Sequence, residues 1–176
     1  MTGVRATQVY IPATLPMLAQ LVADGSLFPL NGTAFAVTPT LREAYADGDD
    51  DELAEVAMRE AALASLRLLA SSNAARGAAQ AVRPRRAVLA AEVDAVKYRP
   101  DLDDAVVRLG APVTMDQVVA AYVDNPEAEQ AVSAAIEAID AADLGDEDAD
   151  LIVGDAQDHD LAWYATQELP FLVDLL

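Results

Sequence analysis

The chain has 176 residues, of which 53% are hydrophobic, and a formal net charge of −19 at pH 7. This length suits one domain with its own buried core, so we expect a single domain over residues 1–176. The absence of cysteine excludes disulfides, thiolate zinc sites and cysteine nucleophiles. The charge repels phosphate groups, which argues against nucleic-acid and anionic-membrane binding.

The first elements read as a strand, a helix and a short strand. Residues 8–12 predict the first strand. Thr14 is placed to cap a helix with apolar residues at helical spacing, and Gly25 ends it. Residues 34–37 predict a short extended segment after a turn.

Two helices follow in the sequence. The first begins at Thr38-Pro39, where Thr40 and Glu43 have the spacing of a capping box. The second is predicted over residues 52–70, because its apolar residues recur on one helical face.

The second half predicts further strands around one helix. Residues 86–93 form a nearly continuous apolar run, typical of a buried central strand. Two more strands are predicted over residues 105–109 and 118–123, and residues 125–127 predict a helix start.

The C-terminal region is acidic over residues 143–160 and then apolar. Residues 161–165 predict a last strand, and residues 170–176 an apolar segment that packs on the core. The element order predicts an α+β fold with a mostly antiparallel sheet of four to five strands and helices on one face. Its specific form is a ferredoxin-like core with a helical insertion after the first strand.

Two charged motifs have simple interpretations. Arg83, Arg85 and Arg86 form a basic triplet that either binds an anion or pairs with acids of the same chain, and we favour pairing. The alternating aspartates from Asp146 resemble the start of a calcium loop. Leu151 stands where that loop needs glycine, so we reject a calcium loop.

The segment 158–168 contains the only histidine and the only tryptophan of the chain. Asp158, His159 and Asp160 are weak candidates for a metal site, since such a site needs three ligands of fixed geometry. Neighbouring residues of a strand point to opposite faces, so a partly exposed histidine is the favoured interpretation.

Trp163 and Tyr164 must also face opposite sides of a strand. We expect Trp163 to pack in the core, and Tyr164 to be exposed with Gln167 and Glu168 near a pocket or an interface.

Four further candidate binding residues lie in or just after the first strand and near the start of the helix that begins near residue 38. They are Tyr10, Thr14, Thr38 and Arg42. If the first and last strands are neighbours, as in a ferredoxin-like core, these residues meet the segment 158–168. Arg42 then supplies the positive charge for Asp158 or Glu168. The alternative is helix capping for both threonines and a surface role for Arg42.

No phosphate-binding loop, dinucleotide fingerprint or serine elbow occurs, so no cofactor is predicted. The acidic half suits a basic partner. We therefore expect a non-enzymatic binding or protein-interaction domain of the bacterial cytoplasm, with an unknown protein partner. A homodimer is also expected, because a small alanine-rich core gains from added burial. The alternative function is a metal-assisted hydrolase or related enzyme with a site around Asp158, His159 and Asp160.

Several stretches together resemble a family of uncharacterised proteins from high-GC actinobacteria. The resemblance covers nearly the whole chain, and it implies an actinobacterial protein with no assigned activity or catalytic residue. The stretches that carry it are residues 9–15, 35–39, 41–45 and 143–149, then Asp158-His159, Trp163-Tyr164-Ala165 and Gln167-Glu168.

Overall fold

The computed structural model describes residues 6–77, 82–94 and 96–175. In chain order its elements are β1 (Thr7–Ala13), α1 (Leu15–Asp24), β2 (Ser26–Leu27), β3 (Thr33–Phe35), α2 (Pro39–Ala44), α3 (Asp50–Arg76), β4 (Ala87–Val93), β5 (Val96–Tyr98), β6 (Val106–Leu109), β7 (Val113–Thr114), β8 (Val118–Val123), α4 (Glu129–Asp143), α5 (Glu147–Gln157), β9 (Ala162–Ala165) and α6 (Leu169–Asp174).

The main sheet has seven strands in the order β5-β6-β3-β1-β4-β8-β9, and every neighbouring pair is antiparallel. The α+β class with an antiparallel sheet is therefore confirmed. The predicted four to five strands were too few. β5, of three residues, is too short to show an apolar alternation in the sequence, and β2 and β7, of two residues each, pair with each other in a separate two-stranded sheet. A ferredoxin-like core is not confirmed.

The sheet is strongly curled. β4 and β5 lie four positions apart in the strand order, which is about 19 Å in a flat sheet with ~4.8 Å between strands. Val93 ends β4 and Val96 begins β5, and the chain between them reaches at most about 11 Å. The sheet must therefore bend until the end of β4 meets the start of β5.

Helices cover both faces of this sheet, so the prediction of helices on one face was wrong. Val9 and Ile11 of β1 pack with Leu18 of α1 and with α6. Tyr10, on the opposite face of the same strand, packs with α2 and α3. The reason is the apolar run of the central strands, which leaves neither face suited to water. The C-terminal apolar segment is packed as predicted, through Leu172 and its neighbours in α6.

A third cluster joins α3 to α4 and α5. Leu66 and Leu69 of α3 pack with Val132 and Ile139 of α4 and with Val153 of α5. The α5 region is acidic in sequence, and no element was predicted there. This helix forms because its acids lie in the first turn, where the helix dipole favours negative charge.

Two local details correct the predicted turns and caps. Thr38, rather than Thr40, caps α2, since its hydroxyl accepts a hydrogen bond from Leu41 N–H at 3.0 Å. Gly32 has a positive φ of 69°, and a side chain there would meet the carbonyl oxygen of Leu109 at 2.7 Å. Only glycine therefore allows this turn to lie against β6. Within the described residues, no helix has the length and apolar character needed to cross a membrane.

Candidate functional site

The segment with the unique histidine forms a turn between α5 and the edge of the sheet. His159 is partly exposed, while Asp158 and Asp160 on either side are exposed. The residues lie in a turn rather than at the start of a strand, because β9 begins only at Ala162. The side chains are therefore placed by the turn and not by strand alternation.

Arg86 holds this turn against the sheet. Its Nε and Nη2 donate to the two carboxylate oxygens of Asp124, each at 2.8 Å. The same guanidinium donates through Nη1 to Gln157 Oε1 and through Nη2 to the carbonyl of His159, both at 2.8 Å. One buried cation thus ties β8, the end of α5 and the His159 turn to the start of β4.

The Arg86–Asp124 pair is completely enclosed, with side-chain exposures of 1% and 0%. A buried charge pair is tolerated only when hydrogen bonds replace the lost water, and here the backbone N–H of Arg86 also donates to Asp124 at 2.8 Å. The predicted pairing of the basic triplet with acids of the same chain is confirmed for Arg86 and for Arg85, which binds Glu129.

A pocket of about 300 Å³ lies between α3, β8 and the His159 turn. This volume is at the lower end of the range for small-ligand sites. Its walls bring acidic, basic and aromatic groups together, and so offer both donors and acceptors. The polar residues of the wall are Glu55, Arg59, Arg86, Tyr122, Gln157, His159 and Asp160.

The metal candidates are not assembled into a ligand set. Among the described residues, which include Asp158, His159 and Asp160, no group of three or more His, Cys, Asp or Glu side chains is placed to hold a metal ion. Neighbouring residues of a tight turn do not converge on one point without a third, distant ligand. The structure therefore gives no support to a metal-assisted hydrolase.

The two aromatic residues of β9 have exchanged the expected roles. Trp163 is 59% exposed, whereas Tyr164 packs against the cluster formed by β1, α1 and α6. The register explains this, since Tyr164 lies opposite the buried Ala121 and Trp163 lies opposite Tyr122. The predictions of a core Trp163 and an exposed Tyr164 were wrong.

Each residue of β8 points its backbone N–H and C=O groups either toward β4 or toward β9, and the contact with the start of β4 shows which. Asp124 N–H donates to the carbonyl of Arg86 at 3.1 Å. In an antiparallel ladder the direction alternates along the strand, so Tyr122 also turns its backbone groups toward β4. Ala121 and Val123 must then turn theirs toward β9.

β9 is the outermost strand on that side of the described sheet. Its residues Ala162 and Tyr164 lie opposite the two β8 residues that face it, and therefore use their backbone groups in the ladder. Trp163 directs its N–H and C=O groups away from the sheet, and Ala165 its N–H, while the C=O of Ala165 begins the 3-10 helix Thr166–Glu168. The exposed indole of Trp163 thus sits on an edge with outward-facing backbone groups.

The candidates from the first strand are not brought to this edge. β4 and β8 separate β1 from β9, so the premise that the first and last strands are neighbours was wrong. Tyr10 is buried, and its hydroxyl accepts a hydrogen bond from Gln8 Nε2 at 3.2 Å. Burial, with nearby Tyr122, raises the pKa of Tyr10. Thr14 is buried at the N-terminus of α1 without a capping bond from its side chain.

The remaining candidates have local roles or lie on the surface. Thr38 donates its hydroxyl hydrogen to the carbonyl of Asp104 while capping α2. Arg42 pairs with Asp50 at 2.6 Å, so its observed partner is neither Asp158 nor Glu168. Gln167 and Glu168 are exposed in the turn that follows β9. Of the predicted set, only the residues of segment 158–168 lie at or near the β9 edge.

The sequence analysis missed the residues that build this site from a distance. Asp124 and Tyr122 lie at the end of a predicted strand, and Gln157 lies within the acidic stretch 143–160, so none of the three was predicted as a site residue. The available signal was Arg86, an arginine directly before a nearly continuous apolar strand, where a buried cation needs an acid as partner.

Comparisons with known proteins identify a family whose function is unknown. No match was found among the curated proteins or among the solved structures. A family model described as "Family of unknown function (DUF6912)" matches residues 7–173. This range covers nearly the whole chain, including α1 to α6 and the Trp163 edge. The chain therefore belongs to the family of unknown function DUF6912.

Proposed function

We propose that the protein is a non-enzymatic binding module that takes an extended, basic segment of a partner protein onto the β9 edge. The observation that carries the proposal is Trp163, a large aromatic side chain 59% exposed on the outermost strand. Tryptophan is among the residues most enriched at binding hot spots. Its neighbours on the edge supply outward-facing backbone groups at the same place.

Strand addition is the binding mode that fits such an edge. An extended peptide pairs with the outward N–H and C=O groups, and its side chains stand alternately over the two faces of the sheet. Proteins usually block an exposed edge with lysine, proline or a bulge. β9 (Ala-Trp-Tyr-Ala) contains neither lysine nor proline.

Charge favours a basic occupant over a second copy of the chain. Asp158, Asp160 and Glu168 are exposed beside β9, and residues 87–176 hold −18 of the formal charge. Complementary charge speeds association and selects partners, while two copies of this surface repel each other. The homodimer expected from the sequence competes for the same edge and is a distinct outcome of the test.

The test uses a fluorescein-labelled eight-residue peptide of alternating lysine and valine, with binding followed by anisotropy. A peptide of alternating glutamate and valine serves as the charge control. Trp163→Ser removes the aromatic contact, and we expect at least a tenfold loss of affinity. Phe171→Ser is the matched control, because Phe171 is an exposed aromatic residue outside β9.

Ala165→Pro tests the backbone contact separately. Ala165 has a φ of −68°, which suits proline, and its N–H faces outward, so the β8–β9 ladder keeps its bonds. We expect the variant to fold normally and to bind the lysine–valine peptide about tenfold more weakly. Equal binding by this variant, or no binding by the wild type, contradicts the proposal. A wild-type dimer that becomes monomeric on Ala165→Pro in light scattering assigns the edge to a second copy instead.

A further inference from the structure

Two cationic side chains lie opposite each other on β5 and β6, at the end of the strand order farthest from β9. Lys97 of β5 lies directly across from Arg108 of β6, and Thr33 of β3 lies on the other side of Arg108. The three side chains therefore form a row across three strands with no carboxylate in it. Like charges placed directly opposite each other in a sheet are destabilising, so this row needs an explanation.

The arrangement is unusual in a chain with a charge of −19. Lys97 and Arg108 have no carboxylate within 4.0 Å among the described residues, and Arg108 Nε is buried without a hydrogen-bond partner. Acids are abundant, yet they pair elsewhere. The arginines that do pair with a carboxylate are Arg42, Arg67, Arg85, Arg86 and Arg99.

One acid near Arg108 is already engaged. Asp101 feels the charge of Arg108, but its two oxygens accept hydrogen bonds from Arg99 at 2.9 and 2.7 Å. The guanidinium of Arg99 thus occupies both oxygens of the Asp101 carboxylate. Arg108 keeps its donors for another acceptor.

Both cations line a cavity of about 440 Å³ at the point where the curled sheet brings β4 to β5. Gln117 contributes to the wall as well, and its Oε1 already accepts from Thr114 N–H at 3.0 Å. Its amide hydrogens therefore remain as donors. Asp94 is the single acid of the wall, so cationic groups outnumber acidic ones.

We propose that Lys97 and Arg108 bind the oxyanion of a small molecule, a phosphate or carboxylate group, in this cavity. A guanidinium fork and an ammonium group form strong charge-assisted hydrogen bonds with either oxyanion. The cavity has room for more than the oxyanion alone, which suits a small metabolite-sized ligand. This site is separate from the β9 edge and does not depend on the proposed function.

Isothermal titration of the full chain with inorganic phosphate, pyrophosphate and citrate tests the proposal, at an ionic strength held constant with sodium chloride. The expected result is saturable binding of at least one probe. The phosphate and citrate arms distinguish the two oxyanions. Lys97→Gln and Arg108→Gln should each weaken that binding at least tenfold.

Arg83→Gln is the control, because Arg83 is an exposed arginine outside the cavity. It should bind the probe as the wild type does. If Arg108→Gln fails to fold by circular dichroism, the exposed Lys97→Gln variant carries the test. The proposal is overturned if no probe saturates, or if Arg83→Gln weakens binding as much as Lys97→Gln does.

Discussion

Arg86 is the side chain that fastens the His159 turn to the sheet. It donates hydrogen bonds to both carboxylate oxygens of Asp124, and also to Gln157 Oε1 and the carbonyl of His159. A lone charge at either position is costly, because no water reaches it. The strength of this contact therefore comes less from the pair itself than from the penalty of breaking it.

Arg86→Ala should destabilise the protein by about 3–5 kcal/mol, because Asp124 then stays buried without a counter-charge. Urea unfolding at pH 7 measures this change. Arg42→Ala removes an exposed pair, with side-chain exposures of 53% and 78%, and should cost at most about 1 kcal/mol. If Arg86→Ala and Arg42→Ala lose similar amounts of unfolding free energy, the Arg86–Asp124 pair is not buried as described.

Trp163 shows why burial at single residues was difficult to predict. Its size and apolar surface favour the core in a sequence analysis. Its actual exposure follows from the register with β8, which places Tyr164 rather than Trp163 over the helices α1 and α6. A shift of one residue in register exchanges the two faces, and nothing within four residues of strand sets that register.

At the scale of elements, the sequence predicted what local patterns specify. β1, α1, β4 and β8 have apolar runs or periodicities, and their predicted ranges agree with the structure to within a few residues. α5 was missed because its apolar residues are few and acids surround them. Its start is nevertheless well defined, since the carboxylate of Asp146 accepts from Ala149 N–H at 2.9 Å.

Asp146→Ala should lower the free energy of unfolding by about 1 kcal/mol, as expected for the loss of a helix N-cap. Asp155→Ala, an exposed acid later in the same helix, should change it by at most about 0.5 kcal/mol. Thermal melts with calcium and with a chelator should coincide. A calcium-dependent increase that Asp146→Ala abolishes contradicts the capping role.

The ion pair between α3 and α4 predicts a dependence on pH. Arg67 hydrogen-bonds Asp143 at 2.9 and 3.0 Å and lowers the pKa of that carboxyl below its ordinary value of 3.8. The pair therefore contributes fully above pH 3.8, and its contribution disappears as the pH falls through the lowered pKa. Both side chains are nearly half exposed, so the contribution is at most about 1 kcal/mol.

Asp143→Asn should accordingly be less stable than the wild type at pH 7, and this difference should shrink as the pH falls below 3.8. Urea unfolding across this range measures the difference between the two proteins. A difference that stays constant from pH 7 to pH 2 shows that the charge of Asp143 does not contribute.

At the scale of the whole molecule, strand order was the least predictable property. The partners of β1, β4 and β8 depend on how the sheet curls and on which helices cover its faces. These contacts join residues far apart in the chain, and local propensity does not specify them. The candidate site failed for the same reason, since its assembly from Tyr10 and Arg42 assumed that β1 and β9 are neighbours.

The overall charge predicts that salt stabilises the protein. Acids far outnumber cations over residues 87–176, and among the residues that the structure describes the ion pairs joining the two halves engage only Arg67, Arg85 and Arg86. Raising the salt from 0.1 to 1 M shortens the Debye length from ~10 to ~3 Å and screens the remaining repulsion. The melting temperature should therefore rise with sodium chloride. A flat or falling melting temperature indicates charges compensated by arginines or by a bound cation, and a chelator separates these two cases.

Amide hydrogen exchange along β9, followed by NMR, tests the central claim most directly. In the protein alone, Ala162 and Tyr164 should exchange slowly because they bond to β8, while Trp163 and Ala165 should exchange rapidly. Addition of the lysine–valine peptide should slow exchange at Trp163 and Ala165 at least tenfold and leave Phe171 unchanged. Slow exchange at Trp163 and Ala165 in the monomeric protein without peptide, or no slowing when the peptide binds, contradicts a docking edge at β9.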